Sequence, residues 1–187
     1  MIVRHPFNWI LEEAQNWVFA SWSVLALVVM AALQVLGAPL QNPIAPLGIV
    51  SFEFAGTLAR VQEILASWST TGQIYAGLNL GLDYLFLVSY GAAIGLGCVL
   101  VARNLPQRLG RLRSLGIVLA WGLIAAALLD VLENYALIRL LLGAQSEQWP
   151  ALAFWCAVPK FLLVGAGLAY IVAGAVAALF RRLFGRE

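Results

Sequence analysis

Charged side chains are scarce in this chain: Asp, Glu, Lys and Arg make up 11% of its 187 residues, against 63% hydrophobic ones. Soluble domains carry about a quarter charged residues, so this composition excludes a water-facing globular surface. Histidine is nearly absent, His5 being the only one. That excludes a zinc site with two or more His and a His-ligated haem inside a bundle. Metal chemistry would fall to carboxylates, and neither a metal nor a cofactor is expected. Cysteine occurs twice, as Cys98 and Cys156 in separate apolar runs, expected too far apart for a disulfide and read as small buried apolar residues. No Gly-rich loop for phosphates sits at a strand-to-helix junction. The net charge of +2 comes from Arg grouped at a few places, which speaks for membrane orientation and against a nucleic-acid partner.

What is present is long apolar runs. A spanning helix needs about 20 apolar residues, and four such stretches fall at about 17–36, 74–102, 115–142 and 151–180. The expected fold class is an all-α integral membrane protein, a four-transmembrane-helix bundle forming one domain over residues 1–187. The segment through Asn16 carries Arg4, Glu12 and Glu13. The apolar run after it starts too late and runs too long for a secretory signal, so it reads as an uncleaved first span. That span ends at Gly37, before Pro39, Pro43 and Pro46, which forbid a continuing helix.

Arg103, Arg108, Arg111 and Arg113 lie between the second and third spans, and Arg181, Arg182 and Arg186 follow the fourth. The opposite connections carry only Arg60 and Arg139. The positive-inside rule then puts both termini in the cytoplasm of a bacterial inner-membrane protein, with membrane lipids as partners. From Ser51 to Trp68, Phe54, Leu58, Val61, Leu65 and Trp68 recur at helical spacing, while Glu53, Thr57, Arg60 and Ser67 fall largely elsewhere. One amphipathic helix is expected over 51–68, lying in the outer interface or capping the bundle, with Trp68 at headgroup depth. It reads either as a connector resting on lipid or as a lid.

Apart from Arg139 at the end of the third, four charged residues fall inside the expected spans: Asp83, Asp130, Glu133 and Lys160. Each costs about 2.5–3.5 kcal/mol unless a partner satisfies it. Counting along the spans at about 1.5 Å per residue puts Asp83, Glu133 and Lys160 about 14 Å below the outer surface, with Asp130 nearly one turn deeper. Asp130, Glu133 and Asn134 share one face of the third span, and Asn79, Asp83 and Tyr90 form a stripe on the second. Pro159 removes the helix bond to the Trp155 carbonyl, freeing that oxygen for Lys160 or a ligand. Trp155 itself is expected to line a pocket or sit over the ammonium. Three carboxylates against one ammonium cannot all stay ionised in a low-dielectric pocket, so at least one proton is expected on the group.

Gly77, Gly81, Gly91 and Gly95, and then Gly165, Ala169, Ala173 and Ala177, have small-xxx-small spacing. The ordinary reading is close helix packing within the chain; the sharper one is a homo-oligomer face. The leading functional expectation is binding or carriage of a small lipid-like amphiphile at Asn79, Asp83, Tyr90, Asp130, Glu133, Asn134, Trp155 and Lys160. The alternative is an intramembrane acid–base enzyme of the isomerase, hydratase or cyclase class, with Asp83 and Glu133 as acid and base and Lys160 positioning or stabilising charge. Proton or cation transport would use the same residues as a relay, but the cytoplasmic half offers little polarity beyond Ser89 and Tyr90. A structural subunit of a membrane complex would need the cluster only as helix-to-helix glue.

Overall fold

The computed structural model describes residues 4–184. Arg186, counted above with the basic tail, lies outside the described residues, as does the side chain of Arg182. The helices are α1 (Gln15–Gly37), α2 (Ile49–Glu53), α3 (Leu58–Ser67), α4 (Thr70–Asn104), α5 (Gly110–Leu141) and α6 (Gln148–Phe184), and no strand occurs among the described residues. Four of them, α1, α4, α5 and α6, are long and apolar enough to cross a membrane. The protein is therefore an all-helical membrane bundle, as the apolar runs predict.

Local chemistry sets the helix ends. Ser69 opens α4 by accepting a hydrogen bond from the Gly72 N–H at 3.1 Å, and Thr57 opens α3 by accepting from the Arg60 N–H at 3.3 Å. Leu105, held extended before Pro106, closes α4. Of the four long helices α4 is the most buried. It packs against α1, α5 and α6, and α5 also packs against α6. Small residues allow these approaches. A β-carbon at Gly91 would meet Ala127 of α5 at 3.3 Å, and one at Gly97 would meet Ile171 of α6 at 2.7 Å and Phe19 of α1 at 3.0 Å.

The stripe Gly165, Ala169, Ala173 and Ala177 does not make this contact; α6 turns those residues outward. The packing face is instead carried by Gly167, against Ile94 and Leu123, and Gly174, against Val101. Both registers have helical spacing, and only the position of the neighbouring side chains chooses between them.

The segment between α1 and α4 also departs from expectation. In place of one helix over 51–68 there are two, broken at residues 54–57. Gly56 takes φ +69°, a left-handed conformation suited to glycine, and Thr57 caps the restart. The two short helices cover one end of the bundle as a cap. Leu40, Phe52, Val61, Ile64 and Trp68 form one core with Ala76, Leu80, Leu137, Leu140 and Ala153. Trp68 is 4% exposed and donates its Nε1–H to the Leu40 carbonyl at 2.9 Å. Its polar edge is satisfied inside the protein, so it is a core residue and not a headgroup anchor. Polar bonds stitch the cap down: Glu147 accepts from the Leu58 N–H at 2.8 Å, Gln62 reaches Gln145 at 2.8 Å, and Gln73 donates to the Leu65 carbonyl at 3.0 Å.

At the other end, Phe7 and Ile10 pack against Leu96, Leu119 and Ala120. Arg103 fixes this N-terminal segment through Gln15 at 3.2 Å and Glu12 at 3.5 Å. Burial lowers the pKa of His5, within the same segment, below its ordinary value.

Candidate functional site

Lys160 organises the polar interior. Its ammonium donates to Asp130 Oδ1 at 2.9 Å and to Glu133 Oε1 at 2.9 Å, both on α5. Glu133 Oε2 is also within 2.8 Å of Nζ, so one carboxylate straddles the charge. Asp130 accepts a second bond at Oδ2 from the Tyr90 hydroxyl of α4 at 2.9 Å. Further along the same seam, Asn134 of α5 donates to Asp83 Oδ2 of α4 at 2.6 Å. Thus α4, α5 and α6 do turn Asp83, Tyr90, Asp130, Glu133, Asn134 and Lys160 towards one interior region.

Two expected members lie elsewhere. Asn79 donates to the Leu33 carbonyl at 2.9 Å and so ties α4 to α1. Trp155 is 69% exposed and meets the Phe154 ring edge-on. Five residues separate it from Lys160, which turns it about 140° around the helix. The ring beside the ammonium is Phe161, with its centroid 4.8 Å from Nζ. The ammonium, expected to reach the carbonyl that Pro159 frees, crosses to α5 instead.

One further group arrives from the cap. Glu53, the last residue of α2, is 9% exposed, with Oε2 3.7 Å from Lys160 Nζ. Sequence periodicity places it on the polar face of an interfacial helix. The adjacent Phe52 is 1% exposed. Two successive residues pointing inward have no helical period, so only the docking of α2 beneath the cap reveals Glu53. Burial pushes its carboxyl above the ordinary range, opposed by the Lys160 charge.

Three carboxyl groups therefore approach within 4 Å of one ammonium. Asp130 is 2%, Glu133 0% and Lys160 7% exposed, so solvent does little to screen them. Asp83 is the most accessible of the acids, at intermediate exposure. No grouping suited to a metal ion occurs among the described residues.

Beside this cluster runs an apolar groove of about 410 Å³ between α1, α4 and α5. Trp22, Val88, Gly91, Ala127 and Val131 line it, and Phe7, Trp9 and Ile10 border its N-terminal-segment end. Leu87 also lines it. One turn on from Leu87 and Val131, along the same α4–α5 seam, stand Asp83 and Asn134.

Searches with family models, against curated proteins and against solved structures found no match to this chain.

Proposed function

We propose that this chain is a multi-pass protein of the bacterial inner membrane, with both termini cytoplasmic, that binds or carries a small lipid-like amphiphile along the α4–α5 seam. The observation that carries this reading is the succession, along one seam, of an apolar groove and then a partly buried carboxyl group paired with an amide. A volume of about 410 Å³ lies within the usual range for small-molecule sites, which are apolar with a few placed polar groups. The tail would lie between α1 and α5, and the head would meet Asp83 and Asn134. No Lys or Arg among the described residues lines the groove, so a hydroxyl or amine head fits and a phosphate head does not. The orientation is supported by Arg103 and Arg113 standing at the same end of the bundle as the N-terminal segment.

The Lys160–Asp130–Glu133 group fits a positioning role better than an acid–base one. Glu133 is fully buried and holds Lys160 with both oxygens, whereas Asp83 stands accessible at the seam. Native mass spectrometry of gently purified protein tests the proposal. The wild type should carry one lipophile of defined mass beyond bulk phospholipid. Val88→Trp fills the groove from a half-exposed position and should release that lipophile while leaving the fold intact. Bulk phospholipid alone on the wild type, or an unchanged adduct on Val88→Trp, would refute the assignment.

A further inference from the structure

The cap touches the charged cluster through Glu53, and the contact there is chemically incomplete. Glu53 Oε2 stands 3.7 Å from Lys160 Nζ, beyond hydrogen-bond reach. Glu133 Oε2 is 2.8 Å from the same nitrogen but outside hydrogen-bond geometry, the ammonium donating instead to Asp130 Oδ1 and Glu133 Oε1. Both oxygens are buried and neither receives a hydrogen bond among the described residues, although both face the one ammonium. The two carboxyl groups converge on that one ammonium, Glu53 from α2 and Glu133 from α5. Their residues are more than nine-tenths buried.

Two ionised carboxylates offer acceptors only, and in a buried site they repel. One proton removes both difficulties, because it turns one oxygen into a donor to the other and cancels one negative charge. We propose that Glu53 and Glu133 form a proton-binding site, and that the shared proton latches the cap onto the bundle. The groups facing Glu53 are Glu133 and Asp130 from α5 and Lys160 from α6, with Asp83 of α4 further off. Arg60 of α3 supplies no counter-charge here, since it pairs with Glu63 on the outer surface at 2.8 Å. The proton therefore takes the place of a missing second cation.

The pH dependence has a definite sign. An undocked cap returns Glu53 to an ordinary carboxyl near 4.5, whereas the docked site holds its proton to higher pH. Docking is then fully supported at acidic pH and is lost as pH rises through the docked value. Between about 4.5 and the docked value the opening constant should grow about tenfold per pH unit, and above the docked value it should level off.

Hydrogen exchange of the 45–68 amides, followed by mass spectrometry across pH in the wild type, Glu53→Gln and Glu53→Ala, tests this. The amide introduced by Glu53→Gln stays a neutral donor and acceptor at every pH, and dividing wild-type by Gln-variant rates cancels the intrinsic pH dependence of exchange. The ratio should be near one in acid and then climb about tenfold per pH unit, while Glu53→Ala exchanges fast throughout. A ratio flat with pH, or a Gln variant as fast as the Ala variant, would overturn the proposal. Amides of α4 report whether each variant is folded, and Glu133→Gln should reproduce the Glu53→Gln profile. Should neither Gln variant fold, cap exchange relative to α4 exchange in the wild type decides alone, a pH-independent ratio being fatal.

Discussion

Lys160 is the residue on which the charged interior converges. It is 7% exposed and is the counter-charge to three carboxyl groups. Removing one partner of a buried charge group leaves the others unpaired, at a cost of about 3–5 kcal/mol. Lys160→Met should therefore lower stability by about that amount in a mixed-micelle unfolding titration. Tyr90→Phe removes one bond to Asp130 and should lose only about 0.5–1.5 kcal/mol. Equal losses in the two variants would contradict the central place given to Lys160. Asp83, Asp130, Glu133, Asn134 and Lys160 were legible because charge inside an apolar run demands a partner, and helical spacing supplies the face. Glu53 was not, because an acid in a polar connection raises no such demand. Trp155 was misplaced by nearness in sequence, which on a helix is not nearness in space.

Among the elements, the four long helices follow directly from the length of apolar sequence needed to cross a bilayer, and they appear within a few residues of where that length predicts. Their packing faces were less legible. A helix facing lipid on one side and protein on the other is apolar all round, so hydrophobic periodicity loses its contrast. On α6 the choice fell to Gly167 and Gly174 rather than to the Gly165 stripe, because Ile94 and Val101 of α4 occupy the space above the former pair. Gly174→Val would press against the stiff Val101 side chain and should cost about 1–3 kcal/mol in the same titration. A β-carbon at Gly165 meets nothing within 4 Å, so Gly165→Val should stay within about 0.5 kcal/mol of wild type. The reverse ranking would mean that α6 packs through its other face. The break in the cap was hidden for a different reason: Phe54, Leu58, Val61 and Leu65 keep helical spacing across it, and the positive φ at Gly56 leaves no mark in a hydrophobic pattern.

At the scale of the whole molecule, α4 is a central post with α1 on one side and α5 and α6 on the others, and it is plugged at opposite ends by the cap and the N-terminal segment. The closed charge group lies between α5, α6 and the cap, while the apolar groove opens between α1 and α5. Asp83 and Asn134 stand one helical turn from the groove residues Leu87 and Val131 along the α4–α5 seam. On the proposed function, the charge group would hold the helices together and the groove would receive a ligand sideways from lipid. The most direct test is an experimental density map of the protein purified in lipid nanodiscs, without detergent extraction of bound lipid. An elongated feature lying over Val88 and Gly91, with its polar end against Asp83 and Asn134, is the predicted result. A groove holding only disordered acyl chains, or an ordered ligand bound at a different face, would contradict the account.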